Sequence, residues 1–255
     1  MINKYKLEIT HLYPKNLNLY GDNGNIIILK KRCEWRNIDV KIKQKNIGDQ
    51  LTKHSDIYFI GGGQDIDEIN ICNDLLSFKD TIYKLVEDRK VFLTVCAGLQ
   101  LFGKYFYDGT GKKIEGLGIL DIYTKAPSDS IKDRCIGNKI VVLNEKIIGF
   151  SKTYLNTLIG FENHIGQTFL GENTDYLGTV SNGNGNNSTD NYEGIVYKNV
   201  YGTYLHGPFL SKNPHFADFL ILKALKEKYG NKVRLSKLND IREIRAHKFI
   251  IQNYK

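Results

Sequence analysis

No run of apolar residues in this 255-residue chain approaches the roughly 20 needed to span a bilayer as a helix. Membrane insertion is therefore not expected. The opening Met1-Ile2-Asn3-Lys4-Tyr5-Lys6 lacks the apolar centre of a signal peptide and leads at once into a strand-like run, so a cytoplasmic protein is expected. The four cysteines, Cys33, Cys72, Cys96 and Cys135, lie far apart and form no CxxC pair. Neither a zinc ribbon nor a thioredoxin-type redox site is indicated, and no metal is expected. A disulfide framework would be out of place in a cytosolic chain of this size. Four free thiols are the expectation, one of which could be chemically special.

Acidic residues are in the minority, with 28 Asp and Glu against 36 Lys and Arg, a net charge of +8. That excess does not indicate nucleic-acid binding, because the lysines are spread along the chain and no recognition motif accompanies them. One stretch is locally enriched. From Lys232 to Lys255 there are seven basic residues against Asp240 and Glu243, and Leu235, Leu238, Ile241 and Ile244 recur every three positions. This predicts an amphipathic helix lying on the domain or on a partner. The 41% hydrophobic and 25% charged fractions are those of a globular protein. The length suits one α/β domain, taken as residues 1–230, with a basic helical extension at 231–255.

The first half alternates strand and helix signals. Leu7 to Leu12 reads as a strand, Gly24 to Arg36 as a helix, and Ile38 to Ile42 and Ile57 to Ile60 as short buried strands. A helical segment runs from Gly61-Gly62-Gly63 to about Asp88, with Asp65, Asp67 and Glu68 complementing the dipole at its start. Val91 to Val95 is a β-rich run, followed by Cys96 and another helix. Such alternation predicts an α/β fold with an open, mainly parallel sheet and helices on both faces. The second half is less regular. Ile114 to Thr124, Ile136 to Leu143 and Ile195 to Leu205 read as strands, Ser181 to Ser188 as a turn-rich loop, and Pro214 to Lys228 as a helix capped by Asn213 and closed by Gly230.

Cys96 stands where a buried strand ends and a helix begins, in Val95-Cys96-Ala97-Gly98-Leu99-Gln100. This is similar to a nucleophile elbow, which lifts the side chain clear of the sheet, although Thr94 stands where that pattern has glycine. A helix N-terminus nearby favours thiolate, and the Ala97 N–H would face a developing oxyanion. Taken alone, a cysteine at a strand end is more often a small buried hydrophobe. His206, in Tyr204-Leu205-His206-Gly207-Pro208, also ends an apolar run, and neighbouring strand ends could bring the two together. Taken alone it is a hydrogen-bonded structural histidine. His11 and His164 compete with it, whereas His54, His215 and His247 fit surface helices or loops. Gly61-Gly62-Gly63-Gln64-Asp65 could expose backbone N–H groups to an oxyanion, or be a plain tight turn. It is no Walker loop, because no Gly-Lys-Ser/Thr follows.

Together and in this order, Gly-Gly-Gly-Gln-Asp, Val-Cys-Ala-Gly-Leu-Gln-Leu-Phe-Gly and Tyr-Leu-His-Gly-Pro resemble the class I (triad) glutamine amidotransferases of the cobyric-acid-synthase-like branch. Further matching segments are His11-Leu12-Tyr13-Pro14, Leu19-Tyr20-Gly21-Asp22-Asn23-Gly24-Asn25, Gly160-Phe161-Glu162-Asn163-His164 and Gly183-Asn184-Gly185-Asn186-Asn187. The resemblance runs from about residue 7 to about residue 225 and leaves the tail after Gly230 uncovered. Within that branch the chain is most similar to glutaminase subunits that work with a Mur-ligase-like (MurT-like) partner.

The resemblance implies a flavodoxin-like fold and a reaction. L-Glutamine would be hydrolysed here, and the partner would use the ammonia to amidate D-glutamate of lipid II to D-isoglutamine in peptidoglycan synthesis. Cys96 would be the nucleophile, His206 its base, and Gly62, Gly63 and Ala97 the oxyanion hole. Arg134, in Arg134-Cys135-Ile136-Gly137-Asn138, and Gln100 would hold glutamine, the guanidinium fork suiting a carboxylate. No cofactor is expected in this chain; ATP and Mg would sit on the partner, in a heterodimer. One position departs from the wider class: His-x-Glu is replaced by His206-Gly207-Pro208. The orienting acid is then expected from the partner subunit, with Glu162 as an internal substitute and Asp218 placed on an exposed helix face. The rivals are a cobyrinate-type amidotransferase, a partner-independent Cys hydrolase of the DJ-1-like class, and a binding module that kept the fold.

Overall fold

The computed structural model describes residues 5–126, 134–145 and 155–254. Met1 to Lys4 of the segment read for a signal peptide, and Lys255 of the basic tail, lie outside the described residues. From the N-terminus come β1 (Tyr5–Leu12), α1 (Asn23–Glu34), β2 (Ile38–Lys45), β3 (Ile57–Ile60), α2 (Asp65–Leu76), α3 (Lys79–Glu87), β4 (Val91–Val95) and α4 (Ala97–Phe102). The second half carries β5 (Tyr105–Tyr107), β6 (Lys113–Glu115), β7 (Ile122–Lys125), β8 (Cys135–Leu143), β9 (Thr157–His164) and β10 (Gln167–Leu170). It ends with β11 (Gly178–Asn182), β12 (Tyr192–Glu193), β13 (Ile195–Tyr197), β14 (Val200–Thr203), α5 (Pro214–Tyr229) and α6 (Ile241–Asn253).

The central sheet has the order β13-β14-β4-β3-β1-β2 and is parallel except for β13. Every residue of β3 and β4 is at most 1% exposed. Successive side chains of a strand point to opposite faces, so both faces of the sheet centre are covered. These strands form one continuous core with Leu7, Ile9, Leu99, Phe102, Phe216 and Leu220. Truncating a side chain such as Phe59 here would cost about 3–5 kcal/mol. Among the described residues no helix is long and apolar enough to cross a membrane.

The second half builds two further four-stranded sheets, β10-β7-β5-β6 and β12-β11-β8-β9, which the α/β alternation did not foretell. The run from Ile195 to Leu205 is a hairpin rather than one strand, because Lys198 takes φ +53° and turns the chain back. The run from Ile114 to Thr124 likewise splits into β6 and β7. The helical segment before Asp88 breaks at Ser77, whose hydroxyl donates to Asp74 O (2.6 Å). An isolated bridge between Phe161 of β9 and His206 joins the second half to the end of the central sheet.

Four expectations are corrected at the C-terminal side. Asn213 makes no capping bond; its side chain instead holds the Ile159 backbone, accepting from N–H (3.0 Å) and donating to O (2.7 Å). The tail is helical only from Ile241, not from Leu235. Asp218 is not on an exposed face: it accepts Arg32 Nε (2.6 Å) and Nη2 (2.8 Å) and Arg36 Nη2 (2.6 Å). Arg32 also holds Asp240 (2.7 Å), and His247 bonds Thr157 Oγ1 and Lys212 O (2.8 Å each), so the tail packs on the domain. His215 and His247 are accordingly buried, not on the surface.

Candidate active site

At the end of β4 the chain turns sharply, with Cys96 at φ +51° and ψ −110°. Backbone of this kind is unfavourable for any residue with a Cβ and persists only where its surroundings hold it. Here Cys96 N–H donates to Thr203 O (2.9 Å) and Gly98 N–H to Gly61 O (3.2 Å). A Cβ on Gly98 would stand 2.7 Å from Ile60 O, so only glycine lets α4 approach the sheet this closely. Thr94 lies inside β4, before the turn, where no glycine is required. Helix α4 has only six residues, so its help to a thiolate comes from the N–H groups of one turn.

His206 follows β14 and is fully buried, its backbone locked by His206 N–H to Phe161 O (2.8 Å). Its Nδ1 lies 3.2 Å from both carboxylate oxygens of Asp22, itself fully buried. Among the described residues Nε2 makes no protein hydrogen bond, and the Cys96 thiol stands beside the ring. Burial alone would lower the His206 pKa; Asp22 and the Cys96 sulfur outweigh it and raise it to about 10. Tyr20 packs edge-on against the ring at 5.0 Å between centroids.

Asp22 corrects the expectation that the third acid lies outside this chain. It sits in the turn between β1 and α1, far from His206 in sequence. Glu162 is engaged elsewhere, pairing with Lys139 Nζ (2.6 Å) and accepting Asn184 N–H and Nδ2 (2.8 Å each). Asp22 corrects the oxyanion assignment as well: Gly62 N–H donates to Asp22 Oδ2 (2.8 Å) and is not available to a substrate. Gly62 matters instead for space, since a Cβ there would lie 2.6 Å from His206 Cε1. The Gly63 and Ala97 N–H groups donate to no acceptor among the described residues.

The thiol opens into a cavity of about 450 Å³, whose lining includes Tyr20, Gly63, Glu68, Gln100, Arg134, Asn163 and His164. Arg134 is exposed at the rim, with Nε donating to Asn163 Oδ1, while Asn163 Nδ2 donates to the Tyr20 hydroxyl. Gln100, 8% exposed, contacts the Tyr204 hydroxyl at 3.1 Å. His164 stacks on Tyr204 and bonds Gly166 O (2.8 Å), so it walls the cavity rather than meeting Cys96. His11 lies against Phe59 with its pKa pushed down to about 4 by burial. No cluster suited to a metal occurs among the described residues.

A family model for the CobB/CobQ-like glutamine amidotransferase domain matches residues 8–214. The chain belongs to this family. It is 42% identical, over 93% of its length and 87% of the relative, to subunit GatD of the glutamine-hydrolyzing lipid II isoglutaminyl synthase of Streptococcus pneumoniae. Identity to the Staphylococcus aureus GatD subunit is 39%, over 97% of this chain and 96% of that one. Among solved structures, a Thermotoga maritima glutamine amidotransferase aligns with TM-score 0.53 at 14% identity, over 96% of this chain and 93% of that one, which shows a shared fold.

For this family member the sequence reading missed Asp22, Tyr20, Asn163 and the cavity position of Glu68. Asp22 did carry a signal. It is an acid between glycines, just before a helix, where it makes no capping bond.

Proposed function

We propose that this chain is the glutaminase subunit of a lipid II isoglutaminyl synthase, hydrolysing L-glutamine and passing ammonia to a Mur-ligase-like partner. In this reading the partner carries ATP and Mg and amidates D-glutamate of lipid II to D-isoglutamine. The observation that carries it is the Cys96–His206–Asp22 array opening into a cavity rimmed by Arg134.

Nδ1–H of His206 donates to Asp22, and with its pKa raised to about 10 the ring also holds, on Nε2, the proton given up by the Cys96 thiol. The thiolate attacks the glutamine amide carbon. Ala97 and Gly63 N–H face the resulting oxyanion. Collapse expels ammonia with the proton from Nε2, leaving a γ-glutamyl thioester, which water hydrolyses with His206 again as base. Arg134 takes the α-carboxylate with its two terminal nitrogens, Nε being held by Asn163.

The test is the complex with its ligase, supplied with lipid II and ATP. Cys96→Ser should lower glutamine-dependent amidation by several orders of magnitude and leave ammonium-dependent amidation intact. Normal glutamine use by this variant, or no amidation from either nitrogen source in the wild type, would remove the proposal.

A further inference from the structure

The reaction at Cys96 leaves the motif Gly183-Asn184-Gly185-Asn186-Asn187 without a role. Asn186 Oδ1 accepts Gly194 N–H (2.7 Å), and Asn186 Nδ2 donates to Gly194 O (3.0 Å). Asn186 N–H donates to Tyr192 O (2.7 Å), and Gly185 O accepts Lys139 Nζ (3.4 Å). The loop thus clamps the corner where the chain passes from β12 into β13. A Cβ on Gly194 would stand 2.3 Å from Gly202 O, so this corner lies tight against β14. Glu193, fully buried, is the residue held there.

Glu193 Oε1 accepts two donors, Thr203 Oγ1 (2.7 Å) and Tyr204 N–H (2.8 Å), while Lys139 Nζ donates to Oε2 (2.6 Å). Thr203 Oγ1 in turn accepts Leu205 N–H (3.0 Å). Thr203 with Val95 is the last pair between β14 and β4, so Tyr204 and Leu205 lie past the ladder. One carboxylate oxygen therefore fixes the three residues that lead to His206. The same segment holds the nucleophile, because Thr203 O accepts Cys96 N–H (2.9 Å).

We infer that Glu193 is a positioning residue of the glutaminase, setting Cys96 and His206 in their working places through Thr203 and Tyr204. The inference rests on the glutaminase reading and deepens it. A misplacement of about 1 Å between reacting groups can cost about 10²-fold in rate. Cys96, in a backbone conformation that persists only where its surroundings hold it, depends on this anchor. The plainer role for Glu193, neutralising Lys139, predicts a loss of stability without a change in the chemistry of the folded molecules.

Thr203→Val separates the two roles, since it removes the hydroxyl, nearly keeps the shape and leaves the Glu193–Lys139 pair intact. In the complex, glutaminase kcat should fall by about 10- to 100-fold in Thr203→Val and in Glu193→Ala, with KM for glutamine within about threefold. Thr203→Ser, which keeps the hydroxyl, should recover most of the loss. The thiolate is the reactive form of a cysteine, and the imidazolium beside it favours that form. Alkylation of Cys96 by iodoacetamide, followed on the peptide that carries it, should therefore slow by about tenfold in the same two variants. Partial unfolding would lower the amplitude of that phase rather than its rate constant. Wild-type kcat and alkylation rate in Thr203→Val would overturn the inference, as would a loss that Thr203→Ser does not recover. No ammonia from glutamine in the wild type would overturn the glutaminase reading instead, and the alkylation rates would then decide whether Glu193 places the thiol.

Discussion

Two buried charge clusters lie within a few residues of each other and behave differently. In the first, Lys139 sits between Glu162 and Glu193 at 2.6 Å from each, all three at most 1% exposed. Glu193 also accepts Thr203 Oγ1 (2.7 Å) and Tyr204 N–H (2.8 Å), and Glu162 accepts Asn184. In the second, Asp22 holds His206, but among the described residues His206 Nε2 and the Ala97 N–H make no hydrogen bond with protein. The closed cluster directs its charges at its own members and braces the segment that ends in His206. The open one aims donors into a cavity. Burial and charge are common to both, so neither marks chemistry by itself. The unanswered groups do.

The largest difference should appear on removing the acid from the open cluster. In Asp22→Asn the amide can no longer favour Nδ1–H or the imidazolium, and the corresponding change in serine proteases costs about 10⁴ in kcat. A loss of about 10²–10⁴ in glutaminase kcat is expected, with ammonium-dependent amidation by the complex kept. Wild-type kcat would break the comparison, because the orienting acid would then lie elsewhere.

Lys139→Met should do the reverse. It leaves two carboxylates buried without their cation, and breaking a buried pair this way costs about 3–5 kcal/mol. Urea unfolding should show that loss, and adding Glu162→Gln and Glu193→Gln should recover much of it. A stability change below about 1 kcal/mol would mean that water reaches the cluster.

Arg134 belongs to the open region but is exposed at its rim. Arg134→Ala should lower kcat/KM for glutamine by about 2 kcal/mol, the low end for a lost charge partner, with no change in unfolding midpoint. Arg134→Lys should recover only part, since a point charge lacks the fork. Unchanged kinetics in the alanine variant would place the carboxylate site away from this rim.

The asymmetry between the clusters explains what was legible in the sequence. Cys96 and His206 each end an apolar run, and a strand end on a parallel sheet is a visible place. Asp22 was not visible as their partner, because its proximity to His206 depends on the turn after β1 folding over the tips of β3 and β4. The residues after His206 offer no acid, since Pro208 stands there, and Glu162 is an acid in a neighbouring motif that is engaged by Lys139. Lys139 gave no signal: a lysine in an alternating strand reads as solvent-facing until β9 and the loop at 183–185 cover it. The two small sheets were hidden for a similar reason, their strands being short and partly polar.

The smallest effect on chemistry should come from Glu162→Gln, and it sharpens the comparison most. Burial would raise the Glu162 pKa, but His164, Lys139 and the Asn184 N–H outweigh it and hold the carboxyl down at about 2. A folded pKa below the ordinary 4.5 means that the stability this group contributes is complete above pH 4.5 and is lost as pH falls toward 2. His206 works in the opposite direction. Raised from 6.5 to about 10, it contributes fully below pH 6.5 and fades as pH climbs through 10. The closed cluster therefore weakens in acid and the open one in base. Glu162→Gln should flatten the acid limb of unfolding free energy against pH, leave the alkaline limb as it is, and change glutaminase kcat by less than about tenfold. His206→Ala should flatten the alkaline limb alone. If Glu162→Gln instead removes the alkaline limb and lowers kcat by about 10² or more, Glu162 is the group that orients His206, and the division between a bracing cluster and a reacting one does not hold.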